Sequence, residues 1–164
     1  MQLSLLSSVP QFLHEIATSH FAEWHLLLEA QYGLFSVGDY EYLLQAEFMS
    51  EHEQMPLMLV AHLDGRDLVG TVSLQQQDLS ALRPDLVNWM ASLYIVPEAR
   101  KLGFGSFMIR RALAKARELK LPKLHVWTRD KHLVPWYESF GFQVLDDAQF
   151  FFHDTITIMH HLLL

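Results

Sequence analysis

Apolar residues in the first third of the chain recur at the spacing of an α-helix. The stripe follows a period close to 3.6 residues over positions 12–28 and predicts one long amphipathic helix. We expect this helix to begin at Ser8, whose side chain can cap it, and to end at Gly33. A second helix is predicted over residues 39–50, because three large apolar residues recur four positions apart: Tyr40, Leu44 and Phe48.

The pattern then changes to the short apolar runs and turn signals of β-strands. Residues 57–63 and 68–75 are predicted to form a hairpin, and residues 87–96 a further strand that Pro97 ends. The second half alternates between the two periods, which predicts a helix over 105–120, a strand over 123–128, a short helix over 133–139, and strands over 142–145 and 155–161. A strand–helix–strand unit implies a parallel pair of strands. We therefore expect one α/β domain over residues 1–164, with a mixed and mostly antiparallel sheet.

Composition and charge narrow the class of protein. The net charge of −7 disfavours sequence-independent binding of nucleic acid and favours a cationic partner. No apolar run reaches the roughly 20 residues that span a bilayer, so we expect no membrane partner. Cysteine is absent, which excludes thiol catalysis and is consistent with a cytoplasmic location. The ten histidines do not fall in metal-binding spacings, so no metal is expected.

A glycine-containing turn between a predicted strand and a predicted helix is the strongest chemical signal. Gly103 and Gly105 allow a tight turn with exposed backbone N–H groups, and the helix N-terminus that follows favours phosphate. Arg100 and Lys101 add positive charge. A mononucleotide-binding loop is excluded because its lysine motif is absent, and a dinucleotide fingerprint is disfavoured because Met108 stands where its third glycine belongs. A plain turn before a helix is the remaining alternative for the glycines alone.

Two segments in register, RKLGFG at residues 100–105 and WYESFGF at residues 136–142, resemble the GNAT superfamily of N-acetyltransferases. Residues 100–105 match its signature of Gln or Arg, two arbitrary residues, Gly, one arbitrary residue, and Gly or Ala. Residues 136–142 are similar to a second segment of that family. The resemblance implies a twisted sheet whose one parallel strand pair is splayed into a V, helices on both faces, and acetyl-CoA as the acyl donor.

The resemblance also implies a donor-binding site. In it, the backbone of Leu93, Tyr94 and Ile95 would pair with pantetheine, and Asp130 matches a cofactor-contacting asparagine. An N–H of the same strand, such as that of Ile95, would stabilise the oxyanion. The residues expected to hold the pyrophosphate are Arg100, Lys101, Leu102, Gly103, Phe104, Gly105 and Ser106.

Two side chains are candidates for the proton transfers that acetylation of an amine requires. Tyr137 matches the tyrosine that the family uses as an acid. Trp89 stands where many members carry a glutamate base, so that carboxylate is absent here. His125 matches the position of the base in the protein N-terminal branch of the family, and a chain of water molecules is the alternative.

The acceptor is left open between a small amine metabolite, an aminoglycoside-like compound and a protein or peptide N-terminus, and a homodimer is also left open. Because Trp89 stands where many members carry the glutamate base, a second function is left open: an acyl-CoA-binding regulatory module without turnover.

Overall fold

The computed structural model describes residues 1–151 and 154–164. Its helices and strands follow one another as β1 (Gln2–Leu5), α1 (Leu13–Tyr32), α2 (Val37–Phe48), β2 (Leu57–Leu63), β3 (Asp67–Gln75), β4 (Trp89–Ile95), α3 (Phe104–Glu118), β5 (Lys123–Thr128), α4 (Val134–Glu138), β6 (Gln143–Gln149) and β7 (Thr155–Leu162). Short 3-10 turns precede α1, α3 and α4.

In the described part of the chain the strands form one mixed sheet in the order β1-β2-β3-β4-β5-β7-β6. β4 pairs with β5 in parallel, in a register that aligns Trp89 with His125. β5 and β6 are each antiparallel to β7, and β1 is antiparallel to β2. The predicted α/β fold with one parallel pair is thereby confirmed.

The N-terminus differs from the prediction. Residues Gln2–Leu5 form a strand that pairs with β2, with Gln2 opposite His62, whereas no strand was predicted there. Four residues are too few for the period of two to stand out, so this strand depends on its partner. The prediction that Ser8 caps the first helix is also wrong: a 3-10 turn at Pro10–Phe12 intervenes, and no side chain caps α1. Gly33 ends α1 in the left-handed conformation, as predicted.

Two further elements, α2 and β6, have boundaries that differ from the prediction for identifiable reasons. α2 begins at Val37 because the hydroxyl of Ser36 accepts a hydrogen bond from the Asp39 backbone N–H at 3.1 Å. β6 extends to Gln149, four residues beyond the prediction, although most of its side chains are exposed. Its polar sequence lacks the alternating apolar residues that indicate a strand. Its pairing with β7, rather than burial, holds it in place.

The chain divides into two compact units, and β3 and β4 each contribute residues to both. One unit contains residues 1–73 and 92–108, and its core packs α1 and α2 on β2 and β3 through residues such as Phe12, Ile16, Leu44, Met58 and Val60. The other contains residues 74–91 and 109–164. One of its apolar clusters packs Leu79 and Trp89 against two buried residues of β7, Ile156 and Ile158.

In residues 1–151 and 154–164, no helix has the length and apolar character that crossing a bilayer demands.

Candidate functional site

The turn between β4 and α3 has the backbone that the sequence predicts. Lys101 and Gly103 both have positive φ, at 62° and 86°, so the chain reverses sharply before α3 begins at Phe104. The first N–H groups of a helix have no partner within the helix and carry a partial positive charge. A Cβ built on Gly103 would meet no atom within 4 Å, so that side of the turn is open. This backbone fits an anionic group such as a pyrophosphate.

Arg100 is engaged within the chain. Its Nε donates to the Ile95 carbonyl oxygen at 2.9 Å, and one terminal nitrogen lies 3.2 Å from a carboxylate oxygen of Glu23. Its guanidinium also lies over the ring of Tyr94, 5.6 Å from the centroid. The side chain therefore ties the end of β4 to the turn and to α1, while Lys101 and Leu102 are exposed beside it.

The backbone of β4 is shaped by two features that sequence reasoning missed. Ser92 has a φ of 50° in the middle of the strand, a left-handed conformation that is uncommon for a residue with a side chain. Gly70 of β3 faces β4 so closely that an added Cβ would overlap the Tyr94 carbonyl oxygen and lie 2.6 Å from Ile95 Cδ1. The isolated glycine in a strand pattern was the available signal for this close approach.

Tyr137 of α4 is 6% exposed, and its ring contacts those of Trp136 and Phe142, with centroids 5.2 and 5.9 Å away. Burial raises the pKa of Tyr137 to about 12, because a phenolate would lose its hydration there. The hydroxyl therefore keeps its proton throughout the neutral range, which is the state that a proton donor needs.

His125 of β5 is 2% exposed, and its ring lies 5.2 Å from that of Trp89, centroid to centroid. Its Nδ1 lies 2.7 Å from the Val87 carbonyl oxygen, which can only accept, so Nδ1 carries the hydrogen. Burial lowers the pKa of His125 below its ordinary value, and the carbonyl oxygens of Val87 and Asn88 offset part of that effect. At neutral pH the imidazole is thus neutral, with its lone pair on Nε2.

The rings of His125 and Tyr137 lie on opposite faces of the sheet. His125 is opposite His160 of β7 and their rings are 6.4 Å apart, whereas the next residue, His161, contacts Phe142, which in turn contacts Tyr137. Consecutive side chains of a strand point to opposite faces. The structure therefore does not bring these two candidates into contact.

Asp130 lies just after β5, where its carboxylate accepts a hydrogen bond from the His132 backbone N–H at 2.9 Å. The Asp130 N–H donates to Thr128 Oγ1 at 3.1 Å. One carboxylate oxygen of Asp130, the residue predicted to contact the cofactor, thus caps the turn that leads into α4.

His20 of α1 is a buried polar residue for which the sequence predicted no role. It is fully buried, and its two ring nitrogens lie within hydrogen-bond distance of Tyr40 and Thr71. Its position on the apolar stripe of α1 was the available signal, since a buried histidine requires polar partners.

Charged residues are distributed unevenly along the chain, which the prediction from net charge alone missed. The first lysine or arginine is Arg66. The 65 residues before it carry nine acidic side chains: Glu15, Glu23, Glu29, Asp39, Glu41, Glu47, Glu51, Glu53 and Asp64. All but the half-buried Glu41 are exposed, so the segment that contains α1 and α2 presents a negative surface.

Among the described residues, no group of three or more His, Cys, Asp or Glu side chains is arranged to hold a metal ion.

A family model matches most of the chain by sequence. The model for the acetyltransferase (GNAT) family matches residues 20–142, about three quarters of the chain. No curated protein matches the chain by sequence.

Solved structures share the fold at low identity. The spermidine/spermine N-acetyltransferase of Vibrio cholerae is 22% identical with a TM-score of 0.69, and the match covers 99% of this chain and 94% of that one. An aminoglycoside 6'-N-acetyltransferase complexed with coenzyme A is 12% identical with a TM-score of 0.72, covering 100% and 98%. The ribosomal-protein-S18-alanine N-acetyltransferase of Escherichia coli is 14% identical with a TM-score of 0.64, covering 99% and 93%.

Proposed function

Because this chain belongs to the acetyltransferase (GNAT) family, we propose that it transfers an acetyl group to a primary amine that carries several positive charges. Family membership makes the protein an N-acetyltransferase and makes acetyl-CoA its acyl donor. The polycationic nature of the acceptor, the donor-binding residues and the groups that move protons are the finer parts of the proposal.

The donor-binding residues follow from the β4 turn. The positive φ at Lys101 and Gly103 and the open side of Gly103 supply N–H groups for a pyrophosphate without a side chain in the way. The backbone of Leu93, Tyr94 and Ile95 would hold the pantetheine. When bound, acetyl-CoA supplies an acetyl thioester that a neutral amine can attack.

Tyr137 is the proton donor in this proposal. The phenol is protonated at neutral pH, so it can donate to a departing sulfur atom, although the raised pKa makes it a weaker acid than an exposed tyrosine. Its ring is fixed by Trp136 and Phe142, which limits the positions that its hydroxyl can take.

His125 is the proposed proton acceptor, and because its ring lies on the sheet face opposite that of Tyr137, it would take the amine proton from the other side of the thioester. The hydrogen bond from Nδ1 to the Val87 carbonyl oxygen fixes the tautomer and leaves Nε2 as the basic atom. Its lowered pKa ensures that the ring is unprotonated at neutral pH, at the cost of weaker basicity.

The acceptor class rests on the distribution of charge. Nine acidic side chains and no lysine or arginine in the first 65 residues attract cations over a distance of several ångströms. Among the structural neighbours, the spermidine/spermine and aminoglycoside acetyltransferases take polycationic amines by name. A polyamine or aminoglycoside-like compound therefore fits better than a peptide N-terminus with a single charge.

Release of CoA from acetyl-CoA, measured with a panel of amines, tests this proposal. We expect the highest kcat/KM for spermidine or an aminoglycoside, with propylamine and a singly charged peptide well below. Because the attraction is electrostatic, the advantage should shrink several-fold between about 20 and 200 mM salt. A peptide that outperforms the polycations would contradict the acceptor class alone. Absence of CoA release with every amine, from protein that binds CoA, would contradict turnover.

A further inference from the structure

A buried chain of hydrogen bonds connects both N-terminal helices to β4. The hydroxyl of Tyr40 on α2 lies 3.0 Å from His20 Nδ1, and His20 Nε2 lies 2.8 Å from Thr71 Oγ1 on β3. The Thr71 hydroxyl in turn donates to the Ser92 carbonyl oxygen at 2.9 Å. His20 and Thr71 are fully buried and Tyr40 nearly so.

The direction of each bond follows from the number of hydrogens available. A threonine hydroxyl has one hydrogen, and Thr71 gives it to a carbonyl oxygen that can only accept. Thr71 must then accept from His20, so Nε2 carries a hydrogen. Burial lowers the pKa of His20 to about 3, and the neutral ring therefore accepts from Tyr40 at Nδ1.

The chain of hydrogen bonds ends at Ser92, the residue where β4 departs from regular strand geometry. Ser92 has a φ of 50°, a conformation that persists only when its surroundings hold it. Its carbonyl group is directed to Thr71 instead of lying free. The three residues that follow it on β4, Leu93, Tyr94 and Ile95, are those assigned above to the donor.

The same segment has other fixed contacts around His20. The imidazole ring lies 5.3 Å from that of Tyr94, and the ring of Trp24 contacts both. Farther along, Arg100 holds the Ile95 carbonyl oxygen. The carbonyl of Ser92 is thus the N-terminal fixed point of the segment and the carbonyl of Ile95 its C-terminal one.

We propose that His20 is a positioning residue for the acetyl donor: through Thr71 it holds the Ser92 carbonyl, and with it the left-handed bend that directs the backbone of Leu93, Tyr94 and Ile95. This inference rests on the proposed function, because it takes those three residues as the donor-binding backbone. His20 itself transfers no proton, since both of its nitrogens are engaged in fixed hydrogen bonds.

Replacement of Thr71 tests the inference with little change in shape. Thr71→Val removes the hydroxyl and keeps the volume, whereas Thr71→Ser keeps the hydroxyl. We expect Thr71→Val to raise the Kd for CoA and the KM for acetyl-CoA about tenfold, the effect of losing one buried hydrogen bond, while the KM for the amine stays within about twofold. Thr71→Ser should bind CoA nearly as the wild type does.

Ser73 provides a matched control on the same strand. It is also fully buried on β3, and its hydroxyl has no partner in the described structure. Ser73→Ala should therefore leave CoA binding unchanged. If Thr71→Val is folded by circular dichroism and binds CoA as tightly as Ser73→Ala does, the inference is overturned.

A spectroscopic measurement on the wild-type protein covers the case in which Thr71→Val does not fold. ¹⁵N NMR of the imidazole should show His20 neutral between about pH 5 and 8, with the hydrogen on Nε2. A hydrogen on Nδ1, or titration in that range, would overturn the hydrogen-bond chain. Failure of the wild type to bind CoA would instead refute the donor site of the proposed function, so the two failures are distinguishable.

Discussion

The two compact units hold their candidate groups in different ways. In the unit of residues 1–73 and 92–108, the candidate groups are mostly backbone: the bend at Ser92, the strand that follows it, and the turn at Lys101 and Gly103. In the unit of residues 74–91 and 109–164, they are the side chains of His125, Asp130 and Tyr137. Backbone groups can bind and orient a ligand, whereas titratable side chains can also exchange protons. We therefore expect changes in the first unit to alter affinity and changes at His125 and Tyr137 of the second unit to alter turnover.

Two buried histidines show the same contrast. His20 has a polar partner for each ring nitrogen, and a pKa of about 3 removes it from acid–base chemistry at neutral pH. His125 gives its Nδ1 hydrogen to the Val87 carbonyl oxygen, and in the described chain Nε2 has no such fixed partner. Burial alone thus does not decide the role of a histidine. The number of its nitrogens that the fold already uses decides whether it holds structure or can accept a proton.

The largest effect should come from removing the phenol hydroxyl in the second unit. Tyr137→Phe keeps the ring contacts with Trp136 and Phe142 and removes the proton donor. We expect kcat to fall about 100-fold or more while the Kd for CoA stays nearly unchanged. Steady-state kinetics and calorimetry measure the two quantities. Tyr42→Phe, at an exposed tyrosine of α2, is the control. If Tyr137→Phe loses CoA affinity by as large a factor as it loses kcat, the expectation that this residue acts on turnover is contradicted.

Closing the open side of the turn in the first unit should act on affinity. Gly103→Val places a branched side chain where an added Cβ meets no atom of the protein within 4 Å. The side chain would therefore obstruct the ligand and not the fold. We expect the Kd for CoA to rise roughly 30-fold, which is about 2 kcal/mol, and the thermal stabilisation at saturating CoA to fall by up to the same amount.

Gly33→Val separates this obstruction from backbone strain. Gly33 has a φ of 64° and also meets nothing within 4 Å, so the valine carries a comparable strain at the end of α1. Its CoA affinity should stay at the wild-type value. Equal losses in both variants would attribute the effect to strain and remove the turn from the donor site.

The smallest of the three effects is expected at His125. His125→Gln should lower kcat/KM about tenfold at neutral pH, less than a strong base contributes, because the lowered pKa makes a weaker base. In the wild type, kcat/KM should fall as the pH drops through the His125 pKa, below the ordinary 6.5, since protonation removes the acceptor. That limb should be missing from the pH profile of His125→Gln.

His160 sharpens this test. It is the register partner of His125, and its charge contributes to the lowered pKa of His125. His160→Gln should therefore move the limb to higher pH without removing it. If His125→Gln retains the wild-type limb, the proton leaves by another route, such as a chain of water molecules.

The sequence predicted features that depend on local chemistry. Gly103 and Gly105 indicated a turn before a helix, Gly33 indicated a helix end, and the periodicity of Tyr40, Leu44 and Phe48 identified the buried face of α2. These signals are local because a residue and its neighbours in sequence determine φ and the direction of each side chain. The family resemblance extended them to a function, and the family model agrees with it.

Features that depend on pairing between distant segments were missed. β1 exists because β2 supplies its hydrogen bonds, and β6 is a polar strand held by β7. The role of His20 depends on Thr71 and Ser92, which lie 51 and 72 positions away along the chain. The left-handed bend at Ser92 has no sequence signal either, since serine carries no special preference for that conformation.

The close approach at Gly70 limits how this sequence can drift. The atom that a new side chain would meet first is the Tyr94 carbonyl oxygen, which belongs to the backbone and cannot rotate away as a side chain could. A neighbouring substitution therefore cannot compensate for even a methyl group at position 70. Lineages descended from this chain are expected to keep glycine there while residues around it vary, and a saturation library at position 70 should return glycine alone among active clones.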